Sequence, residues 1–277
     1  MTVRAVLFDL GDTLWHFPKM PPAQEIRIET MRRIGGVLER WGVPLEGELR
    51  FLGREIRLGI ERVDRAAYES DCISPDFTAA VREIAARMGL EISYEQAAEL
   101  WDAWNLGGLT LGRTLFEDTY ETLDWLRDHG VRIGCVTNRV FGGPRFHEEL
   151  RELRLDQYFE TTLVSCDFGY MKPHPKIFER AIADLRVPAL ETAVVGDSLR
   201  ADVGGAQALG MVGILRRKVR PDPPHEAEQV GEVPADRPAT RAETGRALGE
   251  WGGGEDVTPD FTITTLRELT TLPIFGR

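Results

Sequence analysis

The feature that most limits the folds open to this chain is a set of short apolar runs, each followed by polar residues. The runs occupy residues 3–10, 131–137, 161–166 and 192–197. Strands that are apolar on both faces suit a parallel sheet covered by helices. Helical patterns at 119–129 and 175–185 lie between them, and this alternation indicates βαβ crossovers. The sequence therefore predicts an α/β fold with a doubly wound, Rossmann-like parallel sheet and a last strand at 259–263.

The stretch from residue 17 to residue 108 has a helical pattern instead. Apolar residues recur there at spacings of three and four, as in an amphipathic helix, and they predict four consecutive helices. The last of these begins with a capping-box pattern, Ser93 with Gln96, and carries Trp101 and Trp104, which we expect in the core of the bundle. We therefore predict an all-α helical cap domain, residues 17–108, inserted into an α/β core, residues 1–16 and 109–277.

Composition limits the partners and the compartment. The 277 residues include 45 acidic side chains against 34 Lys and Arg, so the formal net charge is −11. This excess argues against binding to nucleic acid or to an anionic membrane, both of which need a basic face. No apolar run approaches the roughly 18 residues of a membrane-spanning helix, and the N-terminus has no signal-peptide pattern. Three scattered cysteines, Cys72, Cys135 and Cys166, indicate a reducing compartment. We expect a cytoplasmic monomer or homodimer.

Residues 218–258 have the composition of a long loop. Eleven of these 41 residues are Pro or Gly, and the charged residues are five basic and nine acidic. The apolar residues show no sustained period, so we expect a flexible loop. A docking segment for a partner is the alternative.

Polar side chains of a consistent kind follow the predicted strands. Asp9 lies at the end of the first strand, Thr137 ends the second, and Lys172 precedes a helix. Asp197 ends the strand at 192–197, and Asp202 comes five residues later. Ligands of open α/β sheets bind at the carboxyl edge, where these side chains would converge. Several carboxylates with one lysine fit Mg²⁺. Such a site suits phosphoryl transfer, in which positioning and charge neutralisation supply most of the catalysis.

Together these segments resemble the haloacid dehalogenase (HAD) superfamily of hydrolases. Four motifs appear in the family's order: Phe-Asp-Leu-Gly-Asp-Thr-Leu at 8–14, Val-Thr-Asn at 136–138, Lys-Pro-His-Pro at 172–175 and Gly-Asp-Ser-x-x-x-Asp at 196–202. The helical insert between the first two motifs is similar to the cap of one HAD subfamily. The resemblance covers roughly residues 1–215 and resumes at 259–272.

The resemblance implies a role for each motif residue. Asp9 would attack phosphorus and form an aspartyl-phosphate, Thr137 would hydrogen-bond the phosphoryl oxygens, and Lys172 would neutralise both groups. The implied Mg²⁺ ligands are Asp9, the Gly11 carbonyl, Asp197 and Asp202, with Asp202 either a ligand or a partner behind the ligands. The expected substrate contacts are Asn138, Arg139 and His16. A surface charge is the alternative for Arg139, and hinge packing is the alternative for His16.

One position departs from the family pattern. Most phosphatases of the superfamily carry a general acid/base Asp two residues after the nucleophile, where this chain has Gly11, with Asp12 one residue further on. A glycine still offers its carbonyl to a metal, but the loss of a positioned acid typically costs about 10²–10⁴-fold in rate. Asp12, His16 or His174 could fill the role, or the substrate could have a good leaving group.

The sequence therefore predicts a Mg²⁺-dependent phosphatase that hydrolyses a small phosphorylated metabolite. One alternative is a 2-haloacid dehalogenase, in which Asp9 attacks carbon without a metal. Another is a HAD-fold binding protein that has lost its acid. A phosphonatase would need a Schiff-base lysine from the cap, for which Lys19 is the sole candidate, so this possibility is poor.

Overall fold

The computed structural model describes residues 2–217 and 256–275. Its main sheet has six strands in the order β5-β4-β1-β6-β7-β8, and every neighbouring pair is parallel. A two-stranded antiparallel ribbon, β2 with β3, stands apart from it. The strands are β1 (Ala5–Phe8), β2 (Trp15–His16), β3 (Thr114–Leu115), β4 (Arg132–Thr137), β5 (Thr161–Val164), β6 (Thr192–Gly196), β7 (Val212–Arg216) and β8 (Phe261–Ile263). The predicted α/β parallel sheet is confirmed.

Helices cover the sheet and form the insert. They are α1 (Ala23–Arg40), α2 (Leu52–Glu69), α3 (Phe77–Arg87), α4 (Tyr94–Trp104), α5 (Thr119–Asp128), α6 (Gly143–Glu152), α7 (Ser165–Phe168), α8 (Pro175–Leu185) and α9 (Gly205–Gln207). Short 3₁₀ segments occupy Gly47–Phe51, Ala189–Glu191 and Leu266–Thr271, and a π-helical turn occupies Leu199–Gly204.

Strand β1 shows why its sequence is apolar at every position. Val6 and Phe8 belong to the core on one side of the sheet, whereas Ala5 and Leu7 belong to the core on the other. Successive side chains of a strand point to opposite faces, so a strand buried on both faces has no polar position. All four residues are fully buried.

Two strands of the main sheet differ from the sequence prediction. The strand predicted at 161–166 ends at Val164, which pairs with Thr137, the last residue of β4, and Ser165 begins α7 instead. Strand β7 was not predicted, because its run is short and contains Gly213. A Cβ on that glycine would lie 3.1 Å from the carbonyl oxygen of Val203, so the close approach of the π-helical turn requires a residue without a side chain.

The insert of α1 to α4 has a hydrophobic core of its own. Trp101 and Trp104 are buried in it, as predicted. The predicted capping box is also present at the start of α4, where Ser93 and Gln96 bond each other's backbone N–H groups. Two residues of the loop after β4, Val140 and Phe141, complete this core from outside the insert.

Charged groups join the insert to the sheet domain near β3. Arg113 forms an ion pair with Glu149 of α6, and the other oxygen of that carboxylate accepts a hydrogen bond from the Gly108 N–H at 3.0 Å. The Arg113 guanidinium lies over the ring of Trp15 in β2, with 4.2 Å from Cζ to the ring centroid. The chain leaving the insert is thereby tied both to α6 and to the segment that enters it.

Three further observations concern the chain as a whole. Within residues 2–217 and 256–275, no helix combines the length and apolar character needed to cross a membrane. All three cysteines are free thiols. The loop predicted at 218–258 lies outside the described residues as far as residue 255, and Asp256 to Thr258 lead into β8.

Candidate active site

The candidate active site lies where the order of the sheet reverses. Strand β1 is central, with β4 on one side and β6 on the other, so the connections leave in opposite directions and open a crevice at the carboxyl edge. Asp9 follows β1 directly, and its N–H bonds the carbonyl oxygen of Val195 at 2.9 Å. Thr137 ends β4, and Asp197 follows the last residue of β6. The structure thus brings three predicted residues to adjacent strand ends.

A buried lysine connects two carboxylates at this edge. Lys172 Nζ donates to Asp9 Oδ1 at 2.7 Å and to Asp202 Oδ1 at 2.6 Å. All three side chains are at most 5% exposed. Burial alone would lower the pKa of Lys172, but Asp202 and Asp9 outweigh it and hold that pKa above its ordinary value. Lys172 is therefore a fixed positive charge against the candidate nucleophile.

Asp202 faces Lys172 from a tightly packed turn. Its second oxygen, Oδ2, accepts the N–H of Ser198 at 3.0 Å, and Ser198 Oγ caps the turn by accepting the N–H of Ala201. A Cβ on Gly196 would lie 2.1 Å from the Asp202 carboxyl carbon, so only glycine fits at the end of β6. Both oxygens of Asp202 therefore bond protein groups, which favours the role of a partner behind the metal ligands.

Asn138 holds the main chain of Lys172. Its Nδ2 donates to the Lys172 carbonyl at 2.9 Å, and its Oδ1 accepts the Lys172 N–H at 2.7 Å. These two bonds join the loop after β4 to the third motif. The amide of Asn138 therefore bonds the main chain of Lys172, and its predicted contact with substrate stays a prediction.

Arg139 and His16, the other two residues predicted to contact substrate, also have protein partners. Arg139 Nε donates to the Phe141 carbonyl at 3.1 Å, and its Cζ lies 4.4 Å from the ring centroid of Phe146. Burial, with a smaller effect of Arg113, lowers the pKa of Arg139 to about 10. The His16 ring stacks on Phe116 with centroids 4.3 Å apart.

His174 lies directly before α8, and its side chain bonds the first turn of that helix. Its Nδ1 accepts the N–H of Lys176 at 3.2 Å, which caps the helix, and its ring packs 4.5 Å from that of Tyr170. Of the three acid candidates, His174 and His16 are both engaged in packing contacts.

Asp12, the remaining acid candidate, has an unusual backbone. Its φ is +52°, in the left-handed region, where Asp is more frequent than most residues. The Asp12 N–H bonds the Trp15 carbonyl at 2.7 Å, and the Asp12 carbonyl accepts Arg216 Nη1 at 2.5 Å. Sequence reasoning missed Arg216, because it ends a strand that was not predicted and belongs to none of the four motifs.

The insert contacts the core beside Lys172. The Met171 N–H bonds the Cys72 carbonyl at 2.8 Å, and Ile73 forms an isolated bridge with Tyr170. Arg200 Nη2 donates to the Tyr68 carbonyl at 3.0 Å, with Arg200 Cζ 4.3 Å from that tyrosine's ring centroid. The insert therefore packs against residues of the core beside the third and fourth motifs, through contacts that the sequence pattern did not indicate.

Comparison with known proteins decides the family. The sequence model of the haloacid dehalogenase-like hydrolases matches residues 3–210. The chain belongs to the haloacid dehalogenase-like hydrolases. The crystal structure of a HAD phosphatase from Thermococcus onnurineus has a TM-score of 0.53 and 25% identity to this HAD-like hydrolase, covering 98% of this chain and 97% of that one.

Two relatives of this HAD-like hydrolase differ in the share of the chain that they match and in their sequence identity. A ribulose-1,5-bisphosphate 5-phosphatase of Halopiger xanaduensis is 28% identical over 97% of this chain and 98% of its own length. A glyceraldehyde 3-phosphate phosphatase of Pyrococcus abyssi is 40% identical, but only over 31% of this chain and 35% of that enzyme. Matches to enzymes of that name span between 35% and 57% of their length.

The donor set of this HAD-like hydrolase fits a magnesium ion. Three carboxylates against one ammonium group leave two negative charges in excess, from Asp9, Asp197, Asp202 and Lys172. Among residues 2–217 and 256–275, no group of three His, Cys, Asp or Glu side chains could hold a metal by itself. Mg²⁺ needs no such cage, because it is usually bound by one or two carboxylates, waters and a substrate phosphate. Asp9 and Asp197, with the Gly11 carbonyl, would supply those donors.

Proposed function

We propose that this HAD-like hydrolase is a Mg²⁺-dependent phosphatase that acts on a small phosphorylated metabolite through an aspartyl-phosphate on Asp9. The observation that carries the proposal is the buried contact of Asp9 Oδ1 with Lys172 Nζ, itself backed by Asp202. A carboxylate held beside a fixed cation at a sheet's carboxyl edge can receive an anionic substrate. The phosphatases named among the relatives support the same reaction.

In the first step, a carboxylate oxygen of Asp9 attacks phosphorus. The new bond joins Asp9 to phosphorus, the ester P–O bond breaks, and the leaving oxygen takes a proton. Lys172 offsets the charge on the phosphoryl group, and the Thr137 hydroxyl donates to a phosphoryl oxygen. In the second step water attacks phosphorus, which releases phosphate and restores the Asp9 carboxylate.

The implied metal has a limited role. Asp9, the Gly11 carbonyl and Asp197 would hold Mg²⁺, which when bound neutralises charge on the transferring phosphoryl group. Asp202 acts on Lys172 from behind, since its two oxygens bond Lys172 and the Ser198 N–H.

Asp12 is the group that we assign to the proton transfer. His174 caps α8 and His16 stacks on Phe116, so both rings are held in packing contacts. Asp12 lies in the first motif, three residues after Asp9, and is only partly buried. Its carboxyl proton would go to the leaving oxygen in the first step and would be recovered from water in the second.

The cap contacts and the free thiols support proposals for the size of the substrate and for the cellular compartment. The cap contacts at Cys72 and Tyr68 favour a substrate small enough to be enclosed, so nucleic acid and membranes are not expected partners. Three free thiols suit the cytoplasm, where we place the enzyme as a monomer or homodimer.

Hydrolysis of p-nitrophenyl phosphate, with Mg²⁺ and with EDTA, tests the proposal on the wild type and Asp9→Asn. We expect turnover that needs Mg²⁺ and that the substitution abolishes, because the amide is a poor nucleophile. Turnover in EDTA, or undiminished turnover by Asp9→Asn, would contradict the mechanism. Halide release from a 2-haloacid in EDTA would support the dehalogenase alternative.

A further inference from the structure

Arg216 is a buried cation outside the four motifs. It is the last residue of β7, on the same edge of the sheet as Asp9, and is only 2% exposed. Its Nη1 donates to the Asp12 carbonyl at 2.5 Å. Burial lowers the pKa of Arg216, and the charges of Asp118, Asp12 and Asp197 partly offset this effect. A guanidinium that is costly to bury therefore donates to a backbone oxygen of the first motif.

An aromatic ring fixes the plane of that guanidinium. Arg216 Cζ lies 3.6 Å from the ring centroid of Phe116, and the His16 ring stacks on the same phenyl at 4.3 Å. The guanidinium of Arg216 and the imidazole of His16 would overlap if both lay on the same face of the Phe116 ring. They therefore lie on opposite faces of that ring. Phe116 follows β3 and its N–H bonds the Leu14 carbonyl at 3.1 Å, so the stack is anchored on the ribbon of β2 and β3.

The backbone of Asp12 needs such support. A left-handed φ of +52° is sterically unfavourable for a residue with a Cβ, and it persists where surrounding contacts enforce it. The Trp15 carbonyl holds the N–H side of the residue and Arg216 holds its carbonyl side. These two bonds therefore hold the backbone of Asp12 on both sides of its Cα.

We propose that Arg216 is a positioning residue that holds Asp12 where its carboxyl group can protonate the leaving oxygen. The proposal rests on the acid role assigned to Asp12 under the proposed function. This role would explain the buried arginine: Gly11 occupies the position at which the family usually has its acid, and Arg216 bonds the next residue, Asp12. In the reaction the P–O bond breaks, and the proton of the Asp12 carboxyl group moves to the leaving oxygen.

The substrate's leaving group distinguishes this role from a merely structural one. An aryl oxide leaves without a proton, whereas an alkoxide needs one, so misplacing the acid slows alkyl esters selectively. A general loss of folding or metal binding slows both esters equally. A misplacement of about 1 Å can cost on the order of 10²-fold.

The test compares p-nitrophenyl phosphate with the alkyl phosphate that the wild type hydrolyses fastest. Arg216→Ala should lower kcat/KM for the alkyl ester by about 10–100-fold and for the aryl ester by less than about threefold. The exposed neighbour Arg217→Ala is the matched control and should change neither. If Arg216→Ala does not fold, Arg216→Lys keeps the charge but loses the planar stack on Phe116, and should show a smaller selective loss.

Asp12→Asn completes a double-mutant cycle. It should lower the alkyl rate selectively, and Arg216→Ala should add no further selectivity in that background.

Equal losses on both esters, or selectivity that survives in the Asp12→Asn background, would overturn the role of Arg216. A wild type inactive on every alkyl phosphate, or Asp12→Asn without selectivity, would overturn the acid role of Asp12 and this proposal together. If Asp12→Asn slows the alkyl ester selectively but Arg216→Ala does not, the acid role of Asp12 stands and only the role of Arg216 is overturned.

Discussion

Lys172 is bonded to two carboxylates that have different surroundings. Asp9 follows β1 at the crevice, while Asp202 is fully buried and bonds Ser198 through its second oxygen. A buried ion pair adds little net stability, because desolvation offsets the attraction, but removing one partner leaves an uncompensated charge. The triad is therefore better understood as a device that orients Lys172 toward Asp9 than as a source of stability.

At the residue scale, Asp202→Asn separates the two roles considered for Asp202. If it acts through Lys172, kcat should fall by about 10–100-fold while the Mg²⁺ concentration for half-maximal activity stays unchanged. Asp197→Asn, which removes a proposed ligand, should raise that concentration. Mg²⁺ titrations of the initial rate give both values. An equal shift in the two variants would make Asp202 a metal ligand.

At the scale of elements, the loop after β4 belongs to two structures at once. It carries Asn138, which holds Lys172, and it ends in Val140 and Phe141, which lie in the core of the cap. The Phe141 ring stacks on Trp101 with centroids 4.1 Å apart. Any movement of the cap must either withdraw Phe141 from its core or move the loop that positions Lys172.

Phe141→Ala tests this connection. We expect the free energy of unfolding to fall by about 3–5 kcal/mol, because a large buried ring is lost. KM should rise more than kcat falls, since the cap would close less firmly over the substrate. The control is Phe51→Ala, an aromatic residue of the insert that is 47% exposed and should change stability by less than about 0.5 kcal/mol. Denaturant unfolding and steady-state kinetics measure both quantities, and equal effects of the two variants would disprove the connection.

At the scale of the whole molecule, the negative charge is unevenly spread. The chain has a net charge of −11, of which the segment 218–258 contributes −4, from five basic and nine acidic residues. At the catalytic edge Asp9, Asp197 and Asp202 together with Lys172 carry two negative charges in excess, which a divalent cation would neutralise. The overall negative charge argues against polyanionic partners such as nucleic acid. It is nevertheless compatible with a single phosphate group that is bound through a metal ion.

This charge distribution predicts that Mg²⁺ stabilises the folded protein in the absence of substrate. Binding to the native state alone adds about 2.7 kcal/mol at 100 times the Kd, so Tm should rise with Mg²⁺ concentration. The rise should be much smaller in Asp197→Asn. Thermal unfolding followed by circular dichroism, with KCl at matched ionic strength, measures the effect. An identical rise in both proteins would place the stabilising ion elsewhere.

The sequence by itself determined five of the six strands of the sheet and the position of most motif residues. Apolar runs such as Ala5–Phe8 are buried on both faces, and the parallel order brings Asp9, Thr137 and Asp197 to one edge. These features depend on local patterns and on the topology rules of parallel sheets, which act whatever the side-chain details. The capping box at Ser93 is equally local, and it was predicted correctly.

Only the tertiary structure decided which group each polar side chain bonds. Asn138 bonds the main chain of Lys172, 34 residues away, and Asp202 reaches the same lysine from 30 residues away. Arg216 reaches Asp12 across 204 residues. A strand-end position indicates the edge at which a side chain lies, but its partner depends on how distant segments pack and which buried charges need compensation. For that reason motif spacing indicated the edge of the candidate site, while the contacts of the Asp12 backbone became visible only in the fold.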